Sequence, residues 1–182
     1  MDTREWPVGL YWSSGWEGQL GPHRRRGPRS AYAKDRRLVK VYIDTNVVVA
    51  DTVKDHVHHA NASGLFRQVQ LRQWTPVISA HGLAEIYSVL TGAPHKPRPT
   101  PVSAGQMIEE NVLQTFEIEA LTRSDYKKII QECSALGWSG GRVYDAIHVH
   151  AARKAGCGRI YTFNVQDFRQ LAPDLLDRIM AP

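Results

Sequence analysis

The sequence predicts an α/β fold built on a parallel sheet, and three observations point there. Short β-rich runs end in polar residues, segments of helical composition separate them, and clusters of Gly and Pro punctuate the boundaries. Strands that alternate with helices imply a parallel sheet with helices on both faces. At 182 residues, with 42% hydrophobic and 23% charged content, the chain suits one domain of ordinary size with an appendage. Wholly disordered and fibrous classes are excluded by the same figures.

Each element follows in order. Residues 39–43 (Val, Lys, Val, Tyr, Ile) form a β-rich run ending in Asp44, Thr45 and Asn46, polar residues suited to the end of a strand. Residues 47–50 continue as an apolar turn. Residues 56–70 predict a helix with Val57, Ala60, Leu65 and Val69 facing inward. A second strand is predicted at 75–78, after which Ser79 can cap a helix running to about Leu90. Four prolines between Thr91 and Pro101 require a loop. A helix near 103–115, a short strand at 116–119 and a helix at 122–136 come next. Gly137, Gly140 and Gly141 break the chain, and 142–155 contains no internal Pro or Gly, as a helix requires. A last strand at 159–163 leads into a short helix at 164–171.

Charge divides the chain at Leu38. Residues 1–38 carry eight basic and four acidic side chains, leaving 15 basic and 14 acidic in the rest, so the net charge of +5 belongs mostly to the first segment. Gly and Pro interrupt every candidate element there, and an irregular, poorly ordered basic extension is expected over 1–38. Trp6, Trp12 and Trp16 followed by His23, Arg24, Arg25 and Arg26 fit a nucleic-acid arm, and they fit equally a segment upstream of the domain proper. Cys133 and Cys157 are the only cysteines and lack a CxxC spacing, so two buried thiols in a reducing, cytoplasmic setting are expected. No apolar run approaches the roughly 20 residues of a membrane span, and no secretory h-region opens the chain.

The acids carry the chemistry. In open α/β sheets ligands bind beyond the carboxyl ends of the strands. Asp44 directly follows the first strand, and Asp167 lies a few residues beyond the last one. Glu85 and Asp145 stand out because their company is apolar: Leu83, Ala84 and Ile86 around one, Val143, Ala146 and Ile147 around the other. Ionised carboxylates are rarely buried without a partner, because desolvation costs several kcal/mol or more. Four clustered carboxylates repel one another, and hard oxygen donors of this kind favour Mg2+ or Mn2+.

These residues resemble a known family. Asp44, Thr45 and Asn46 after a first strand, Glu85 in a helix entered from Ser79, Asp145 in the helix that follows Gly141, and Thr162, Asn164 and Asp167 before Phe168 are similar to the four motifs of PIN-domain ribonucleases. More narrowly they resemble the toxins of virulence-associated (VapBC-type) type II toxin–antitoxin systems, over residues 39–182. The resemblance implies a three-layer α/β/α PIN-like fold and an acidic pocket for Mg2+ or Mn2+. In it, Asp44, Glu85 and Asp145 match three core acids, and either Asn164 or Asp167 fills the fourth position, Asp167 being preferred, with Thr162 and Asn164 as supporting polar residues. Asn46 matches the polar residue that orients the first acid by hydrogen bonding.

The implied activity is endoribonucleolytic, with a metal-activated water hydrolysing the phosphodiester to leave a 3′-hydroxyl and a 5′-phosphate. An acidic pocket repels phosphate, so Lys96, Arg98 and Arg142 are candidate RNA contacts. The family further implies a cognate antitoxin protein and a homodimer. A catalytically silent PIN module that binds RNA or a partner protein is the alternative. A dehalogenase-like phosphatase, which also begins with Asp after a first strand, needs a second Asp where this chain has Asn46. His56 and His59 lack further metal ligands nearby, while His148 and His150 are expected as structural histidines. No GxxxxGK[ST] or GxGxxG phosphate loop is present.

Overall fold

The computed structural model describes residues 39–94 and 98–182. The basic extension and Lys96 lie outside them. In chain order the elements are β1 (Lys40–Ile43), α1 (Thr45–Thr52), α2 (His59–Leu71), β2 (Thr75–Ser79), α3 (Ala80–Gly92), α4 (Pro101–Ile108), a π-helical segment (Glu109–Leu113), β3 (Glu117–Glu119), α5 (Arg123–Ala135), α6 (Arg142–Lys154), β4 (Arg159–Tyr161), α7 (Val165–Leu171), a 3-10 helix (Pro173–Arg178) and β5 (Ile179–Met180). The five strands form one sheet in the order β3-β2-β1-β4-β5, and every pairing in it is parallel.

Alternation along the strands sorts side chains to two faces. Val41 and Ile43 join a core with Val47, Leu65, Phe66, Ile78, Ile86 and Leu90, so α1, α2 and α3 cover that face. Tyr42 and Val77 point the other way and join Ile160, Val149 and Phe168 under α6 and α7. The result is the expected three-layer α/β/α arrangement. A smaller cluster of Ile129, Cys133 and Ile147 docks α5 onto α6. Both cysteines are free thiols and buried. Among the described residues no helix is long and apolar enough to cross a membrane.

Local capping explains several boundaries. Ser79 Oγ accepts from the N–H of Gly82 to start α3. Thr122 and Asp125 form a reciprocal capping box that starts α5. Three expectations differ. The apolar turn at 47–50 is the body of α1, whose Val47, Val48, Val49 and Ala50 are all buried; a helix enclosed on all sides has no polar stripe to betray its period. In the helix expected at 56–70, Val57 is 84% exposed. The helix begins at His59, and the buried side chains are Ala62, Leu65, Phe66 and Val69. The helix expected at 103–115 divides into α4 and the π-helical segment. The 3-10 helix and β5 were not anticipated, since two residues carry no periodic signal.

Candidate active site

Asp44 sits where β1 ends. Its N–H continues the sheet ladder to the carbonyl of Tyr161 at 2.9 Å. Its side chain then turns to cap α1, Oδ1 accepting the N–H of Thr45 at 2.7 Å. Oδ2 accepts the hydroxyl of Thr162 at 2.6 Å. Only 4% of the residue is exposed, and burial holds its carboxyl above the ordinary range. Thr162 is completely buried at the end of β4, and its oxygen also accepts from Asn46 Nδ2 at 3.2 Å and from the N–H of Asn164 at 2.9 Å. Asn46 Oδ1 accepts the N–H of Phe163 at 3.2 Å. Asn46 therefore reaches Asp44 through Thr162. Thr162→Val removes a donor and an acceptor from a buried network, so a loss of about 1–3 kcal/mol of stability is expected. Chemical denaturation would measure it.

Glu85 projects from α3 toward Asp44, and a glycine sets how closely the helix approaches. A Cβ at Gly82 would lie 2.9 Å from Cγ1 of Ile78 and 3.1 Å from Cγ2 of Thr45, the residue after Asp44. Gly82→Ala is expected to push α3 off β2 and α1, costing roughly 1–3 kcal/mol and displacing Glu85 from Asp44. A thermal melt with a parallel activity assay would register both effects.

His148, only 2% exposed on α6, joins these acids. Its Nε2–H donates to Glu85 Oε2 at 2.6 Å and lies 3.9 Å from Asp44 Oδ1. Its Nδ1 lies 2.7 Å from the hydroxyl of Tyr42 and 3.3 Å from that of Ser79. Burial alone would lower the imidazole pKa, but the bond to Glu85 and the charges of Asp44, Glu85 and Asp145 raise it. Burial would likewise raise Glu85, and His148 reverses this, holding that carboxylate below its usual value. Sequence reasoning placed His148 among structural residues. Its spacing of three from Asp145, one helical turn, was the available signal.

Asp145 lies one turn earlier on α6. Its carboxyl is pushed up to about 6, first by desolvation and then by the negative charges of Asp44, Asp167 and Glu85, against a lowering by His148. Asn164 Nδ2 stands 3.5 Å from its Oδ2. Asp167, in the first turn of α7, pairs with Arg142 at 3.7 Å, and Arg142 also donates to Gln170. All four candidate acids thus gather at the carboxyl edge of β1 and β4, and each faces a donor: Thr45 and Thr162 for Asp44, His148 for Glu85, Asn164 for Asp145 and Arg142 for Asp167. Both residues weighed for the fourth position face Asp145: Asn164 as a hydrogen-bond donor, Asp167 as a negative charge.

Desolvated, mutually repelling oxygens are the donor set a hard dication prefers, and Asp145 shows the penalty that such an ion would relieve. Among the described residues, no three acidic, His or Cys side chains already converge as a finished cage. The chemistry of the donors fits Mg2+ or Mn2+. Of the remaining sequence candidates, Arg98 is exposed and donates to the carbonyl of Ala93 at 3.1 Å. His150 pairs with Asp125 at 3.5 Å, a structural contact as expected.

Comparison with known proteins agrees with this fold. A family model described as PIN domain matches residues 41–172. Ribonuclease VapC27 of Mycobacterium tuberculosis is 27% identical over 110 residues, covering 60% of this chain and 74% of its own. Among solved structures, the fold resembles that of M. tuberculosis VapC20, a sarcin–ricin loop cleaving toxin, with TM-score 0.54 and 15% identity over 70% of this chain and 92% of that one. It also resembles Rickettsia felis VapBC2 bound to a DNA fragment from the promoter, with TM-score 0.57 and 16% identity over 79% and 99%.

Proposed function

We propose, from the premise that this chain belongs to the PIN-domain family, that it is a metal-dependent endoribonuclease acting as the toxin of a type II toxin–antitoxin pair. The observation that carries this is the gathering of four carboxylates from four elements at one sheet edge, with Asp145 driven up to about 6 first by desolvation and then by the charges of the other three. Asp44, Glu85, Asp145 and Asp167 would hold Mg2+ or Mn2+. When bound, that ion lowers the pKa of a coordinated water and offsets the charge of the scissile phosphate. No side-chain nucleophile is required.

The chain's own groups prepare this site. Thr162 and the N–H of Thr45 fix both oxygens of Asp44, which spares the site reorganisation during reaction. His148 keeps Glu85 ionised and anchored to the sheet through Tyr42. Arg142, at the mouth, is the cation that can transfer from Asp167 to an incoming phosphate. The partners that follow from this reading are RNA, a cognate antitoxin and a second copy of the chain, in the cytoplasm.

Incubating the full chain with total cellular RNA and Mg2+ or Mn2+ tests the reading. Discrete fragments bearing 5′-phosphates, abolished by EDTA, are expected. RNA left intact in both metals would instead favour a catalytically silent module.

A further inference from the structure

At the amino edge of the sheet, opposite the acids, one indole holds two guanidiniums. Trp74 precedes β2, and its N–H closes the end of α2 onto the carbonyl of Val69 at 3.0 Å. Gln73 makes that turn in the left-handed conformation, at φ 54°, where glycine is usual. The guanidinium carbon of Arg72 lies 5.0 Å from the Trp74 ring centre, and that of Arg159, which opens β4, lies at 4.9 Å. Tyr161 stacks on the same indole at 6.4 Å and 27°, and its hydroxyl accepts one N–H of Arg159 at 3.5 Å. Neither arginine has a carboxylate partner among the described residues.

Covering the rim of the core would take one such cation; two like charges on one ring, with no counter-charge, repel each other. Stacking occupies the flat faces of the guanidiniums and leaves their in-plane N–H groups free and already held in place. Such forks match phosphate oxygens. The basic extension does not supply the anion, since its eight basic residues outnumber its four acidic ones. It joins the domain at this same edge, through Val39, whose carbonyl accepts the N–H of Thr75 at 3.0 Å. We propose that Arg72, Trp74 and Arg159 form a second RNA contact that grips two backbone phosphates; it rests on the nuclease reading above. The five residues of β2 separate Trp74 from the carboxyl edge, roughly 16 Å at the usual rise per residue. An RNA cleaved at the acids must therefore extend several nucleotides beyond the scissile bond to reach this platform. The contact selects length and shape, because phosphates hold no sequence information.

The test uses the full chain carrying Asp145→Asn, to prevent turnover, and measures its binding to a long hairpin RNA in Mg2+ over a range of salt concentrations. Adding Arg72→Ala and Arg159→Ala is expected to weaken binding about tenfold at low salt and to flatten the slope of log K against log salt by about 1.5, the share of two phosphates. Each single substitution should give about half that change in slope, so the singles decide if the pair does not fold. Arg123→Ala with Lys128→Ala is the control: it removes the same charge from exposed positions on α5 and should leave the slope nearly unchanged. An unaltered slope in the platform variants, even with lower melting temperatures, would make the arginines a structural cover or a contact for an acidic protein. That result, or equal flattening in the α5 pair, would overturn the platform and leave the nuclease reading standing. Failure of the parent to bind the hairpin at any salt concentration would overturn both.

Discussion

Replacing Asp145 by asparagine is expected to stop RNA cleavage and, in the same protein, to raise its melting temperature. Activity should fall by roughly two orders of magnitude or more, the scale at which removal of one preorganised electrostatic group from an active site is felt. The stability gain follows from linkage. The Asp145 carboxyl lies at about 6 in the folded protein against an ordinary 3.8. Between those values the folded state holds more protons than the unfolded state, so stability declines as pH rises through the window and stays reduced above it. Asparagine cannot ionise and escapes that penalty. Each pH unit of displacement corresponds to about 1.36 kcal/mol, and partial solvent access reduces the sum to about 1 kcal/mol, or a few degrees. Thermal melts in EDTA at pH 8 and near pH 3.5 would check it: the advantage should be present at the first and absent at the second. A variant that still cleaves RNA, or melts below wild type at pH 8, would remove Asp145 from the site.

His148→Ala should have the largest effect on stability. It leaves the buried Tyr42 hydroxyl without its imidazole partner, frees Glu85 from its anchor and opens a cavity beneath α6. Losses of this kind sum to about 3–5 kcal/mol. The pH dependence also distinguishes the variant. Because the folded protein raises the imidazole above 6.5, its contribution is complete below about that pH and is lost as pH climbs through the raised value. Denaturant titrations across pH 6 to 9 should therefore show a decline in wild type that His148→Ala lacks. His148→Phe restores ring volume without a donor. It should recover part of the stability but not the activity, whereas full recovery of activity would make the histidine only a packing residue.

Four of the five strands and the candidate acids were legible because their chemistry is local. A β-rich run ending in Asp44 marks both a strand and a sheet edge, and the apolar surroundings of Glu85 and Asp145 pose a desolvation problem visible in one dimension. What stayed hidden depended on enclosure or distance. The four buried residues of α1 have no polar face, so their period cannot be read. The role of His148 arises from Tyr42 and Glu85, which lie 106 and 63 residues away. The link from Asn46 to Asp44 passes through Thr162, 116 residues later, and no motif spacing announces such a relay.

The hydrogen bond from Thr162 to Asp44 spans 118 residues, and this has a consequence for biosynthesis. β1 lies at the centre of the sheet with β2 on one side and β4 on the other, so its second flank stays open until Arg159–Tyr161 has been made. Long-range parallel pairing is intrinsically slow to close. A nascent chain that has not yet extruded β4 holds Asp44 without its hydroxyl and lacks Asp167 altogether. On the proposed nuclease reading, competence is thereby tied to synthesis of β4 and α7, and fragments released by the ribosome before them should be harmless to the RNA around them.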